Sequence, residues 1–499
     1  MSYEIFAEYD QYDAIGLAAL VANGEVKAAT LVETAIARIE EVNPKLNAVV
    51  VKQYEAARRL AGSGAPTGPL SGVPFLIKDL AAVDGDVASF GSVFFRDYRP
   101  DGTHEYVRRV QQAGLIPLGR SNSPEFGLLP TTESVHHGPT RNPWDVTRSS
   151  GGSSGGAAAA TAAGIVPMAH ASDGGGSIRI PASACGVFGL KTTRGRMPRY
   201  PGSPADYLSI DLAVSRSVRD TAALLDATHG AAPGDAYNAP APEGRFFDAV
   251  GVDPAPMKIA YSVDDFRDRR VAPDCVTAVE STAATLEELG HNVVEAKPQI
   301  DGQSVAEAFF VVWQSLAESI FVAILDEASK QRAGRLLRRL LGDWRAMKVI
   351  ASLDKRKSGL EAFEPFTWQL ADRSRRRTPA KLEAAKIELQ RVSHIVAAFL
   401  EDHDALLTTV LGSPPVRLGE IDQAVDWDEI AEQLTGYVAF TAIANFSGLP
   451  AMSVPTYWTG AGLPIGTHFL GRFADEATML SLAGQLERAV PWWDRRPAL

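Results

Sequence analysis

The amino-acid sequence predicts an α/β protein built in layers. Short apolar runs that suit strands alternate with stretches of helical periodicity, and the connectors between them are short. The composition, 45% hydrophobic and 22% charged over 499 residues, is that of a globular chain able to bury a large core without a disulfide or metal staple. Length alone admits one large domain or two to three smaller ones. No internal repeat or low-complexity tail interrupts the alternation.

Residues Asp13 to Asn47 carry two amphipathic helices. Thr30-Leu31-Val32-Glu33 fits a capping box, in which hydroxyl and carboxylate satisfy each other's free backbone N–H groups. Leu31, Ala35 and Ile39 then recur at helical spacing, and the helix is expected to stop by Asn43 because a residue before proline is biased away from helix. A short helix from about Gln53 to Ala61 leads into a Gly/Pro-rich turn over Gly62 to Gly72. Val73 to Asp79 is a short, mostly apolar run and reads as a buried strand. A helix over Tyr106 to Ala113 and a strand over Leu115 to Leu118 follow, then the loop Ser121 to Glu133. Arg141 to Asp145 is turn-rich, and Trp144 to Ser150 reads as a polar loop.

Beyond Lys191 the alternation continues with a helix at Ser217 to Thr228, a strand at Lys258 to Tyr261, a helix at Pro273 to Leu289 and a strand at Asn292 to Glu295. Residues 304–400 change character: they are mainly helical and more charged, and read as an insertion covering the α/β core. Leu382, Ala385, Leu389, Val392, Val396 and Phe399 alternate spacings of three and four, so one long helix buries a single stripe there. Strand-like runs return at Ala405 to Val410, Ala451 to Pro455 and Gly466 to Leu470, and a helix from about Glu476 to Arg488 closes the chain.

The net charge of −11 argues against nonspecific nucleic-acid binding, which needs a basic face. Arg332 to Arg339 and Arg373 to Arg377 are local exceptions and read as solvated faces of surface helices. Cys185 and Cys275 form neither a CxxC pair nor a metal spacing; they read as reduced structural thiols, and no metal or cofactor is expected. The acidic N-terminus lacks the pattern of a secretory signal. Gly155 to Ala171, taken as the most apolar long run, is mostly Ala and Gly and lacks the Leu, Ile and Phe content of a membrane span. The expectation is a cytoplasmic protein with no membrane partner.

The chemistry concentrates in Ser149 to Lys191. Glycine loses more backbone freedom on folding than any other residue, so a dense glycine run marks a place where backbone must approach a ligand closely or take unusual dihedrals. Gly151-Gly152-Ser153-Ser154-Gly155 matches the G-x-S-x-G nucleophile elbow formally. The polar loop before it is the wrong context for that device, although His394, His403 and His468 downstream leave a Ser-His-Asp triad open. Asp173-Gly174-Gly175-Gly176-Ser177 is different: three glycines place backbone N–H groups around one hydroxyl, as an oxyanion hole requires. Lys78, at the end of the apolar run, has two readings: a lysine snorkelling to solvent, or a base whose pKa is lowered by apolar walls.

These motifs together resemble the amidase signature family, serine hydrolases with a Ser–cisSer–Lys triad. Gly119 to Gly127 is similar to the family's G-K-[ST]-N-x-P-E-F loop, with Arg120 in place of lysine. Asn142-Pro143-Trp144 with Gly151 to Gly156, and Asp173 to Lys191, resemble the core signature. Ser447 to Ala451 and Gly462 to Gly466 match near the C-terminus. The layout, including Ser177 to Ser183 and the ending Trp492 to Pro497, is most similar to bacterial amidases of unusual small amides such as the 6-aminohexanoate cyclic dimer hydrolases.

The resemblance implies a single large α/β/α sandwich around a mixed central sheet, spanning 1–499, with the core signature at about 71–195 and the helical insertion at about 304–400. By motif, Lys78 is the catalytic lysine, Ser153 the bridging serine in a cis peptide and Ser177 the nucleophile. The separations along the chain select Ser153 over Ser154. Gly174, Gly175 and Gly176, with the Ser177 N–H, would form the oxyanion hole. Asp173 and Arg179 would orient the loop, and Leu128, Ser154 and Trp313 would line the substrate site, although Trp313 also suits plain core packing. The implied activity is hydrolysis of a small linear or cyclic amide, anilide or carbamate, with a small-molecule partner and a homodimer left open. An amidotransferase subunit of the same fold and a non-catalytic member are the alternatives.

Overall fold

The computed structural model describes residues 4–64, 66–200 and 207–499. The first three residues of the acidic N-terminus and Ala65 of the expected turn lie outside the described residues. An eight-stranded sheet forms the centre. Its spatial order is Asn292–Glu295, Lys258–Tyr261, Ala405–Thr409, Pro464–Gly471, Ala451–Trp458, Phe188–Lys191, Ile210–Ser215, Met168–Asp173. The first two pairs are parallel and the rest antiparallel, so the sheet is mixed.

The strand Ala405–Thr409 shows why both faces are covered. Successive side chains of a strand point to opposite faces. Ala405 and Leu407 join the large core that includes Cys275 and Val279 of the helix Pro273–Glu288. Leu406, between them, joins a separate core with Leu389 and Val392 of the helix Pro379–Glu401. The sandwich has helices on each side, as expected.

A three-stranded sheet, in the order Val49–Lys52, Ile116–Ser121, Pro74–Lys78, stands against the Met168–Asp173 edge. There the Lys78 N–H donates to His170 Nδ1 at 3.2 Å. A side chain of the neighbouring strand thus takes up a donor that a sheet edge would otherwise leave unpaired.

The cover consists of five helices: Gly302–Ala328, Arg332–Leu341, Asp343–Ser358, Pro365–Arg376 and Pro379–Glu401. The Pro379–Glu401 stripe buries Ala385, Leu389, Val392 and Val396 as the periodicity predicts. Gly302–Ala328 is, among the described residues, the one helix long and apolar enough to cross a membrane, a property the sequence reading gave to no segment; here it packs against Pro365–Arg376 and Pro379–Glu401. Glu125, in the loop below, ties core to cover. It accepts from Ser92 Oγ at 2.6 Å, from the Glu364 N–H at 2.8 Å and from Thr367 Oγ1 at 2.5 Å. Burial, and then Glu364, push its carboxyl well above the usual range.

Several expectations need correction. The helix Ala28–Leu46 starts after Lys27, so Thr30 lies inside it and no capping box forms; Glu33 instead pairs with Arg58 at 2.7 Å. The helix also runs through Pro44, because Asn43 Oδ1 accepts from the Ala48 and Val49 N–H groups and closes the end beyond the proline. Trp144 to Ser150 is not all loop: Asp145–Ser149 pairs with Arg141–Asn142 in a small ribbon apart from the central sheet. Arg332–Leu341 buries none of its residues, as a solvated face should. The second basic run is partly structural, since Arg373 stacks 4.6 Å over Trp427 and Arg377 donates to the Val311 carbonyl.

Candidate active site

Lys78 ends a strand whose five residues are all buried. Its Nζ donates to Ser153 Oγ at 2.7 Å and to Ser172 Oγ at 3.0 Å. Burial drives its pKa down to about 7, against a pull upward from Asp211 and Asp173. Of the two readings of Lys78, the snorkelling one is therefore excluded. His170 holds the strand in place. Its Nδ1 accepts from the Lys78 N–H, which puts the ring proton on Nε2, 3.1 Å from Asp211 Oδ1. Burial lowers the His170 pKa. Burial alone would raise Asp211, but Arg199 and His170 outweigh it and keep the carboxylate ionised.

Ser153 follows a cis Gly152–Ser153 peptide. Gly152 is required sterically: a Cβ there would stand 2.6 Å from the Thr131 carbonyl oxygen. Ser154 lies elsewhere than expected. It is fully buried, and its Oγ exchanges hydrogen bonds with the Ser172 N–H and carbonyl at 3.3 Å, so it does not line the cavity. Its own N–H donates to the Ser177 carbonyl at 3.3 Å and stitches the two serine loops together.

Ser177 precedes the helix Arg179–Cys185 and faces an apolar cavity of about 120 Å³. Among the described residues its Oγ has no hydrogen-bond partner, and none joins it to Ser153. The N–H groups of Gly174, Gly175 and Ser177 are likewise free of protein acceptors. Gly176 departs from the expected set: its N–H donates to Asp173 Oδ1 at 2.8 Å. With φ +133° and a Cβ that would meet Thr441 Oγ1 at 2.3 Å, this position requires glycine for its backbone path, not for a donor.

Asp173 and Arg179 are paired across the Ser177 loop. Arg179 Nε and Nη2 each reach the Asp173 carboxylate at 2.9 Å, a planar two-point pair. Arg179 also donates to the Thr441 carbonyl, to His468 Nε2 and to Asn445 Oδ1. Burial would raise the Asp173 carboxyl, but Arg179 holds it well below the usual carboxylate range. His468 is thus spent on Arg179, His403 stacks on Phe399 and His394 is placed beside Gln390. Among the described residues no histidine bonds to Ser153, and the nucleophile-elbow alternative falls.

Leu128 and Trp313 line the cavity. The Trp313 Nε1–H donates to the Leu128 carbonyl at 3.2 Å, and its ring stacks on Phe309 at 5.5 Å. Sequence reasoning missed Phe309, His170, Asp211, Thr441 and Asn445. No motif marks them.

A neutral-capable lysine on one serine, a second serine under free N–H groups and an apolar cavity compose the parts of a serine hydrolase. Comparison with known proteins gives the family. The Amidase family model matches residues 30–480. The chain is 36% identical over 505 residues to the 6-aminohexanoate-cyclic-dimer hydrolase of Paenarthrobacter ureafaciens, covering 98% of this chain and 96% of that one. A solved 6-aminohexanoate cyclic dimer hydrolase superposes with TM-score 0.85 at 33% identity, over 98% of this chain and 99% of that one. A bacterial aryl acylamidase of the amidase signature family does so at 0.80 and 27%, over 96% of each. The chain belongs to the amidase family, and is an amidase-signature hydrolase acting on amide C–N bonds.

Proposed function

We propose that the chain hydrolyses a small linear or cyclic amide through an acyl-enzyme on Ser177, with Ser153 relaying protons to Lys78. The observation that carries this reading is the 2.7 Å contact between Ser153 Oγ and a lysine whose pKa burial lowers to about 7. A lysine of that pKa is substantially neutral near pH 7 and can accept a proton.

Ser177 Oγ attacks the amide carbon. Its proton passes to Ser153 Oγ as the Ser153 proton passes to Lys78 Nζ, which becomes an ammonium. The Ser177 hydroxyl must turn toward Ser153 for this step, a contact that in such enzymes tightens with substrate bound. The N–H groups of Gly174, Gly175 and Ser177 receive the oxyanion. The ammonium proton returns through Ser153 to the leaving nitrogen as the C–N bond breaks. Water then attacks the Ser177 ester by the same relay, releasing the acid and restoring the serine.

The apolar cavity suits the acyl side of the substrate. The full-length likeness to a cyclic dimer hydrolase supports aliphatic cyclic and linear amides as the first substrates to try. A hydrolysis screen over aliphatic amides, cyclic oligoamides, anilides and carbamates, with Ser177→Ala as control, tests the proposal. Labelling of Ser177 by a fluorophosphonate is expected. Undiminished turnover in Ser177→Ala, or an adduct on that variant at the site, overturns it.

A further inference from the structure

A line of polar side chains leads from the surface to the strand end that carries Lys78. Arg199 Nη1 pairs with Asp211 Oδ2. Asp211 Oδ1 accepts from His170 Nε2 at 3.1 Å, and His170 Nδ1 accepts from the Lys78 N–H at 3.2 Å. Exposure falls along that line, from 26% at Arg199 to 8% at Asp211, 1% at His170 and 0% at Lys78. The strand register sets Asp211 beside the amine by a second route. Asp211 on Ile210–Ser215 is paired with Ser172 on Met168–Asp173. Paired residues on adjacent antiparallel strands project to the same face, with Cβ atoms about 4.5–5.5 Å apart. Ser172 Oγ accepts from Lys78 Nζ at 3.0 Å. The carboxylate is thus the cross-strand neighbour of a serine that holds the amine.

The other charged groups around this line are engaged with one another. Asp173, the second carboxylate that acts on Lys78, is matched by the two-point pair from Arg179. Asp79 accepts from the Ser89 N–H and hydroxyl and lies 3.4 Å from His137 Nε2 and 3.9 Å from Arg120 Nη1. Arg120 Nη1 also donates to the Ala81 carbonyl at 2.8 Å. On the far side of Asp211, His104 Nδ1 accepts from the Tyr106 N–H at 3.3 Å. His104 therefore carries its ring proton on Nε2, 4.0 Å from Asp211 Oδ2. Burial lowers the pKa of His104 and of His170, so both rings are neutral near pH 7. Tyr106 packs 5.0 Å from the His170 ring and donates its hydroxyl to the Leu212 carbonyl at 2.6 Å. Burial raises its phenol, which is neutral as well. Asp235 accepts from the N–H groups of Arg199 and Ala232. Arg199 is then, among the described residues, the one permanent cation paired with Asp211, and it is the more exposed partner. The negative end of that pair faces Lys78.

We infer that Asp211 is a positioning residue of the relay: its fixed negative charge favours the ammonium form of Lys78 and so sets the pH above which Ser153 can hand over a proton. This inference rests on the relay proposed above. Burial expels charge from the lysine, and a lysine stripped of its proton too readily is a weak acceptor. A carboxylate nearby restores basicity, and in a dry site its effect is larger than in water. Asp211 exchanges no proton itself. It stabilises the ammonium that forms as Ser177 attacks and that later supplies the leaving nitrogen.

The test follows the rate of Ser177 labelling by a fluorophosphonate from about pH 5 to about pH 10. Wild type, Asp211→Asn, Arg199→Met and Lys78→Met are compared. The wild-type rate is expected to rise with a midpoint near 7, the value of about 7 to which burial brings Lys78. Asp211→Asn keeps an oxygen for the His170 Nε2 proton and removes the charge. Its midpoint should fall by about one pH unit, and its rate at alkaline pH should be lower than that of wild type. Arg199→Met removes the outer partner and leaves the charge, so its midpoint should rise by about half a unit. Each midpoint is read within one variant, so a loss of folded protein cancels.

An unmoved midpoint in Asp211→Asn overturns the inference. So does a midpoint that stays or falls in Arg199→Met, since the hydrogen-bonded bridge and not the charge would then govern the lysine. If Asp211→Asn yields no folded protein, the direction of the Arg199→Met shift decides alone. A wild type labelled equally at every pH, or a Lys78→Met variant that keeps the wild-type midpoint, overturns the relay itself, and the inference with it.

Discussion

The loops that carry Lys78, Ser153 and Ser177 and the helices that roof them are built on opposite terms. In the first region polar side chains are sealed from water and almost wholly partnered: Lys78, Ser154, Asp173 and Arg179 are each 0% exposed. Each is held by two or more bonds to neighbours. In the second, Gly302–Ala328 offers Phe309, Phe310 and Trp313 to a cavity, and Arg332–Leu341 buries nothing. The contrast separates two tasks. Proton transfer needs fixed distances, which fully satisfied polar networks in a dry core supply. Selection among substrates needs a shaped apolar wall, which can vary without disturbing the chemistry.

The proposed roles make the contrast breakable. Ser177→Ala should have the largest effect, a fall in kcat of about 10⁴-fold or more, measured on the best amide from the screen. Lys78→Met should lower kcat by about 10²–10⁴-fold. The wild-type kcat/KM should rise with pH through about 7, the value to which burial brings Lys78, and the variant should lose that rise. Stability should rise with pH as well. The folded Lys78 pKa lies below the unfolded one, so the unfolded chain binds more protons above about 7 and the contribution of Lys78 to stability increases with pH. Lys78→Met should therefore melt at a higher temperature than wild type at pH 7 and below, with the gap closing at alkaline pH.

Asp173→Asn tests the sealed region as structure. It leaves Arg179 buried beside a neutral amide, and a loss of about 3–5 kcal/mol in denaturant unfolding is expected. Trp313→Leu tests the roof: KM should rise by about tenfold while kcat changes less, since one aromatic wall and one bond to Leu128 are lost. Equal losses in kcat and kcat/KM there would erase the division of tasks. The smallest effect belongs to the seam between the regions. Glu125 has a folded pKa raised by burial, so its contribution to stability is full at acid pH and declines as pH climbs from the ordinary carboxyl range toward the raised value. Glu125→Gln should change stability little near pH 6 and flatten that decline in melting curves taken across pH.

The layered fold was legible because alternating short apolar runs and helical stripes survive in the residues themselves, as at Ala405 to Val410 and in the Leu389–Val392–Val396 stripe. Ser149 to Lys191 yielded motifs but no elements. Its helix Gly155–Ala162 is Ala/Gly-rich and buried on every side, and its strand Met168–Asp173 carries His, Ser and Asp, so neither shows a periodic apolar face. Lys78 and Ser177 could be chosen through their motif neighbours. Ser154 could not be told from a cavity residue, because adjacent serines in a turn diverge by backbone path. His170 and Asp211 become partners only through the pairing of Met168–Asp173 with Ile210–Ser215, which sets Asp211 opposite Ser172 and Ala213 opposite His170. That register is a property of the sheet, and no local signal in either segment announces it.

The brace on the Ser177 loop comes from late in the chain. Arg179 is fastened by Thr441, Asn445 and His468, at separations of 262, 266 and 289 residues. During synthesis Lys78, Ser153 and Ser177 leave the ribosome long before those three residues exist. A nascent chain arrested ahead of residue 441 is expected to carry every side chain of the proposed relay and yet resist fluorophosphonate labelling, with reactivity arriving when the strand Pro464–Gly471 is released and docks. The proposed nucleophile would thus stay inert until the chain has been made past residue 471.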